Sequence, residues 1–351
     1  MTFSERSGLA LERDDAVEDV IARRLVRGDE VFDLTVAGAS GAPSPSRAAE
    51  AALAEALAGD GLHVPAHRLV LTASVGSAFD LALTLLTDPG DEVLVPEPGT
   101  ALDSLAQLAG VALAPYPLAS PFEGGQPDPL ALWEAVGPRT RAVVAAHPGA
   151  TGAYLSTDVL EALAALEVPC IIDETAYDHR LDLEVTPARV GSDTSLLLTV
   201  GALGDVTWMA VQGPAELADE AAHRVRALAS TRGGAPDALH ALAPSKLARA
   251  HELRDAARAH AREALELVRA MTAGTALEVP PVEGGLFAPL RLRHATVSSD
   301  AAARVAAERG VRVRSGASLG FPDDEAWIAI ALLTPLDVLR HGLQRMVEAL
   351  V

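Results

Sequence analysis

Between Leu69 and Pro214 the chain repeats one construction, a short apolar run that ends in polar turn residues. Val143 to Ala146 breaks at Pro148-Gly149, and Val168 to Ile172 ends abruptly in Asp173-Glu174. Short apolar runs bounded by Gly, Pro and charge read as buried strands. In a parallel sheet, ligands collect in the crevice beyond the carboxyl ends of the strands. This pattern therefore places His147, Thr151, Asp173, Glu174, Tyr177, Asp178, His179 and Arg180 in one cleft.

Around this centre the chain divides into three parts. Residues 1–30 are charged, with apolar residues at helical spacing (Leu9, Leu11, Val17, Val20, Ile21, Leu25), and read as an N-terminal arm or helix. Residues 31–245 form the large domain. It opens with a possible strand Val31–Val36, a loop from Gly38 to Pro45 and a helix from Ser46 to Ala58, with Ser46 as N-cap. Strand Leu69–Thr72 then leads through Ala73-Ser74-Val75-Gly76-Ser77 into a helix over Ala78–Leu86. Such a helix N-terminus, with its free N–H groups, is a ready anion site, and Ser74, Gly76 and Ser77 are its candidate contacts. Residues 246–351 carry a long helical pattern from Leu247 to Met271 and then a smaller domain. Its expected elements are strand Pro289–Leu292, helix Ser299–Arg309, strand Val311–Arg314, strand Ala326–Ala331 and a closing amphipathic helix from Pro335 to Leu350.

Composition narrows the partners. The formal net charge of −20 argues against nucleic-acid or anionic-membrane surfaces, which need a basic face. No leader or spanning run is evident, so a cytoplasmic protein with no membrane partner is expected. The single cysteine, Cys170, sits inside an apolar strand and reads as inert core. No recognisable ligand spacing supports a metal site. Arginine far outnumbers lysine, of which there is one, Lys246.

Leu69-Val70-Leu71-Thr72, Asp88-Pro89-Gly90-Asp91-Glu92-Val93-Leu94-Val95-Pro96, Thr140-Arg141-Ala142-Val143-Val144, Thr151-Gly152, Asp173-Glu174 and Gly213-Pro214-Ala215-Glu216-Leu217 follow one another in a familiar order and spacing. They resemble the class I/II aminotransferases, the pyridoxal-phosphate (PLP) enzymes of fold type I, over roughly residues 30 to 348. The resemblance implies an α/β fold: a large domain with a mostly parallel sheet flanked by helices, plus a smaller C-terminal α+β domain. It also implies a homodimer.

Within that resemblance the chemistry departs. The family's lysine-bearing Ser-x-Ser-Lys run is Ala202-Leu203-Gly204-Asp205 here, and Thr207 stands roughly where a phosphate-binding arginine is expected. The Asn of the family's Asn-Pro-Thr-Gly is lost in Gly149-Ala150-Thr151-Gly152. Thr100 and Asp103 occupy the region of the stacking aromatic, and Ala329 that of the carboxylate-binding arginine. Asp173 still matches the carboxylate that pairs with the pyridine nitrogen. Lys246, beside Pro244, reads as a surface lysine at a helix start, remote from the cleft.

Three readings follow. A repurposed enzyme would use the old cleft for acid–base chemistry on an amino-acid-like or keto-acid-like molecule. Its catalytic groups would be Asp173, Glu174, His147, Tyr177 and Asp205, with Ser74, Gly76, Ser77, Thr100, Thr151, His179 and Arg180 binding the substrate. No cofactor is expected in that case, with non-covalent PLP left open. A non-catalytic homologue would bind a partner or a small molecule. A divergent PLP-dependent aminotransferase is the third.

Overall fold

The computed structural model describes residues 3–8, 24, 45–99, 102–189, 191–232, 234–293, 297–322 and 325–350. The expected arm over 1–30, the strand at 31–36, most of the loop before residue 45 and Thr100 lie outside the described residues, apart from a short helix α1 (Glu5–Gly8) and Arg24. The helix α2 (Pro45–Gly59) begins one residue before Ser46, which therefore lies inside the first turn.

The large sheet takes its form from strands buried on both faces. In β1 (Leu69–Thr72), Leu69 and Leu71 pack on one side of the sheet and Val70 on the other. The helix α3 (Val75–Leu86) follows, then β2 (Glu92–Glu97), α4 (Asp103–Ala109), β3 (Ala112–Pro117), α5 (Pro129–Ala135) and β4 (Thr140–Ala146). After these come α6 (Thr157–Ala165), β5 (Cys170–Glu174), β6 (Leu197–Leu203), β7 (Val206–Gln212) and α7 (Ala215–Arg232). The strand order is β1-β7-β6-β5-β4-β2-β3. β6, β5, β4, β2 and β3 are mutually parallel, and β7 is antiparallel to both of its neighbours. The carboxyl ends of β1, β6, β5, β4 and β2 thus share one edge of the sheet.

Alternation runs through every central strand. Ala142, Val144 and Ile171 face α3 and α7, whereas Val143, Ala145, Cys170 and Ile172 face α6. Each strand is a run of small or branched apolar residues with no polar side, as a sheet covered on both faces requires. Burial pushes the Cys170 thiol up to about 12, and its proton points to the Leu163 carbonyl. It is core, as its apolar setting suggested.

A long helix, α8 (Asp237–Thr272), starts ten residues earlier than the sequence pattern indicates, with Pro244 inside it. A proline within a helix gives up one backbone hydrogen bond. Here Ala243, Leu247 and Ala250 are buried against α2 and the β6–β7 hairpin, which offsets that loss. Lys246 is therefore in mid-helix, and the boundary expected between residues 245 and 246 falls within α8.

The smaller antiparallel sheet has the order β10-β11-β9-β8, from β8 (Leu277–Glu278), β9 (Phe287–Leu292), β10 (Arg314–Ser315) and β11 (Ala326–Ala331). The helices α9 (Ser299–Glu308) and α10 (Leu336–Leu350) cover it together with α8. The strand expected over Val311–Arg314 is only the pair Arg314–Ser315, because Val311 and Val313 pack toward the helical side instead of extending the ladder. Among the described residues no helix is long and apolar enough to cross a membrane.

Two glycines set the β6–β7 hairpin. Gly204 adopts φ +62° at the two-residue tip, the left-handed backbone such turns demand. Gly201 lies opposite Trp208, and a Cβ there would sit 2.1 Å from the indole ring. Gly201→Ala should therefore lower stability by roughly 1–3 kcal/mol through overpacking, read as a drop in the urea midpoint at unchanged slope.

Candidate functional site

Above β4 and β5 the strand ends are stitched together by main-chain bonds. The His147 N–H donates to the Asp173 carbonyl (2.8 Å), extending the ladder by one residue. The Leu155 N–H donates to His147 Nδ1 (2.9 Å), so the ring proton resides on Nε2, which donates to the Ala188 carbonyl (2.8 Å). His147 is fully buried and neutral, and desolvation pushes its pKa down to about 4. Both of its nitrogens are thus committed to the backbone.

The segment from Thr175 to Arg189 folds back over this end of the sheet. Arg189 donates to Glu174 (2.9 Å), the two side chains being only 9% and 2% exposed. The same guanidinium lies 4.0 Å above the Tyr177 ring. Burial pushes the Glu174 carboxyl up to about 7 against the opposing pull of Arg189. The Tyr177 hydroxyl donates to the Pro187 carbonyl (3.0 Å), and the rings of Tyr154 and Tyr177 flank His147 at 5.2 and 5.3 Å. Asp173 accepts from the Thr175 N–H (3.0 Å) and hydroxyl (2.6 Å). His147, Asp173, Glu174 and Tyr177 therefore do form one cluster. Arg189 and Tyr154, which the sequence reading passed over, hold it together; nothing in the local pattern around either residue marks it out.

The other expected residues go elsewhere. The Thr151 hydroxyl donates to the Gly125 carbonyl (3.0 Å) and is buried. Arg180 donates to the Val185 carbonyl (3.2 Å) and bridges to Gly284, and Leu181 N–H bonds the Glu283 carbonyl. Asp178 is 3.6 and 3.7 Å from Arg254 and Arg258 of α8. His179 is lowered in pKa by burial, and its buried Nδ1 has no hydrogen-bond partner among the described residues. Residues 178–182 thus join the large sheet to the smaller domain. Beside β2 and β4, a cavity of about 10 Å³ is bounded by Pro96, Tyr116, Gly149 and Leu155. It is no larger than one water needs.

Toward β1 and β6 the same edge is more exposed. Ser74 caps α3 by accepting from the Ser77 N–H (3.1 Å), and Ser74 and Gly76 are open to solvent. The Thr207 hydroxyl donates to the Thr72 carbonyl (2.8 Å) beneath this turn. Asp205, at the hairpin tip, is ion-paired with Lys246. The sequence reading placed this lysine far from the cleft. The continuous helix α8 sets it beside Asp205 at the tip of the β6–β7 hairpin. The Lys246 hydrogen bond holds the Asp205 carboxyl below its ordinary value. Among the described residues, no group of three or more His, Cys, Asp or Glu is placed to hold a metal ion.

No family model matches this chain. The chain is 32% identical over 144 residues to the aspartate/prephenate aminotransferase of Thermus thermophilus, covering 39% of this chain and 37% of that protein. It is 33% identical over 120 residues to a probable N-succinyldiaminopimelate aminotransferase of Mycobacterium tuberculosis, covering 33% and 30%. The alignments therefore span about a third of the relatives' own length. Among solved structures, tyrosine aminotransferase from Leishmania infantum aligns with a TM-score of 0.77 at 17% identity, covering 97% of this chain and 88% of that one. Aspartate aminotransferase from Thermus thermophilus with maleate gives 0.73 at 22%, covering 100% and 89%. The chain has the fold-type-I aminotransferase fold, as the resemblance implied.

These comparisons correct the expectation that no cofactor is needed, because aminotransferase relatives point to PLP. The donor set on the sheet edge is compatible with it. The α3 N-terminus with Ser74, Gly76 and Ser77 suits a phosphate. Asp173 suits a protonated ring nitrogen, and Lys246 is the one lysine amine in the chain.

The neutral His147 makes a measurable prediction. Its folded pKa of about 4 lies below the 6.5 of the unfolded chain, so the unfolded state takes up the proton first as pH falls. Stability from this group is complete above pH 6.5 and is lost toward pH 4, by about 3 kcal/mol. In urea-unfolding curves across this range, His147→Gln should be less stable at pH 7 and should lose this part of the acid dependence.

Proposed function

We propose that this chain is a divergent PLP-dependent enzyme of the aminotransferase type, acting on an amino acid or keto acid, with Lys246 as its cofactor-anchoring amine. The observation that carries this is the placement of the only lysine beside Asp205, on the same strand-end edge as Asp173 and the α3 N-terminus. When bound, PLP supplies an electron sink for charge developing next to a substrate amino group.

The chain's own groups do the rest. Ser74, Gly76 and Ser77 bind a phosphate at the start of α3, and Asp173 balances positive charge on the ring nitrogen. Asp205 keeps the Lys246 ammonium at the hairpin tip. This pair is 70% exposed on the aspartate side and 32% on the lysine side, and an exposed pair of this kind is worth about 0–1 kcal/mol. Lys246 is accordingly easy to release to a ligand. His147 stays neutral near pH 7 with both nitrogens bonded, so proton movement falls to Lys246. The 175–189 segment keeps water from the β4–β5 side. A homodimer is part of this reading.

The test is direct because there is one lysine. Incubation with PLP, borohydride reduction and peptide mapping should place a pyridoxyl group on Lys246, and Lys246→Ala should abolish the label. The same preparation should be dimeric by light scattering. Absence of label on Lys246 at millimolar PLP contradicts the cofactor reading and favours a non-catalytic small-molecule-binding role. A monomer at micromolar concentration contradicts the assembly.

A further inference from the structure

The smaller domain contains a cavity of about 540 Å³ between α10, the 310–313 segment and the end of β11. This is within the range of small-molecule sites. Its inner wall is apolar: Ile330, Leu339, Leu343 and Met346 line it and are themselves buried. Its remaining wall includes two arginines, Arg312 and Arg345, both exposed.

The protein carries a formal charge of −20, and arginines such as Arg68, Arg189, Arg226, Arg254 and Arg291 are ion-paired. Neither Arg312 nor Arg345 has a hydrogen-bonding or carboxylate partner among the described residues. Asp337, the acidic residue on the cavity wall, is not ion-paired to either arginine. The Arg345 guanidinium lies over Gly310, with Nη1 3.5 Å from the position a Cβ would occupy there. His341 donates from Nδ1 to the Asp337 carbonyl (2.7 Å).

A second feature points the same way. Gly342 lies in the interior of α10 and lines the cavity. Glycine is a poor helix former, and alanine would fit, since a Cβ would lie at an ordinary 3.7 Å from Val311. Its lack of a side chain leaves the cavity wall open.

From this combination we infer that the cavity binds a small amphipathic carboxylate, with an apolar body against Leu339, Leu343 and Met346 and its carboxylate between Arg312 and Arg345. An apolar ligand alone would leave both guanidinium groups unused, and a polyanion would leave the apolar wall exposed. Charge-assisted hydrogen bonds to arginine select the carboxylate. The cavity shares no lining residue with the Asp205–Lys246 contact and is independent of the cofactor reading.

The probe is octanoate, titrated calorimetrically into the full chain without PLP, with 1-octanol and octylammonium as controls. Octanoate should bind with one-to-one stoichiometry. Arg312→Ala and Arg345→Ala should each weaken it about tenfold, and Gly342→Leu should block it by filling the space. Octanol and octylammonium should bind more weakly than octanoate. Octanoate that does not saturate, or that binds equally well to both arginine variants and to Gly342→Leu, overturns the assignment. Because PLP is absent throughout, failure here leaves the Lys246 experiment untouched.

Discussion

The buried ion pair between Glu174 and Arg189 is the constraint on which the β4–β5 end of the molecule depends. A carboxylate at a fully covered strand end costs several kcal/mol unless it is paired. Arg189 meets that cost only if the chain from Thr175 returns across the strand ends. Once it does, Pro187 and Ala188 bring carbonyls to Tyr177 and His147. His147 in turn fixes Leu155 through Nδ1. One electrostatic requirement thus sets the path of the loop, the tautomer of a histidine and the entry to α6.

The consequence is a divided sheet edge. Over β4 and β5 the polar groups satisfy one another, and the cavity beside β2 and β4 holds little more than a water. Over β1, β7 and β6 the edge is more open: a serine-capped helix N-terminus and the Asp205–Lys246 contact lie above the buried Thr72 and half-buried Thr207. Chemistry that needs a ligand belongs to the second half and to Asp173, which pairs with Val200 of β6 at the border between the two. The density of titratable residues near His147 is therefore a poor guide to where a ligand sits, because a group with every donor and acceptor used has nothing left to offer.

Much of the fold was legible in the sequence because it is local. Leu69–Thr72 and Ala326–Ala331 are strands with the expected bounds, and Asp173-Glu174 does end a central strand. The resemblance to aminotransferases carried the rest of the architecture. The site was legible only in part, for physical reasons. Thr151 and Arg180 are spent on carbonyls of Gly125 and Val185, and a carbonyl acceptor has no signature in the residue type that carries it. Lys246 and Asp205 meet across 41 residues because Pro244 is tolerated within α8, where buried Ala243 and Leu247 outweigh one lost hydrogen bond. The helix start expected at Leu247 hid this contact, and the view that no cofactor is needed rested on Asp205 standing in the place of the family's lysine.

Removing Arg189 tests the central constraint most directly, by comparing urea unfolding of Arg189→Met and the parent chain at pH 8 and pH 5. The raised Glu174 pKa means that the stability from this group is fully present below its unfolded value and is lost as pH rises through about 7. Without Arg189 the carboxyl is harder still to ionise. The variant should therefore be less stable by about 3–5 kcal/mol at pH 8, with a clearly smaller loss at pH 5, where Glu174 is protonated. Equal stability of the two chains, or a loss that does not change with pH, would contradict a buried Glu174–Arg189 pair as the organising contact.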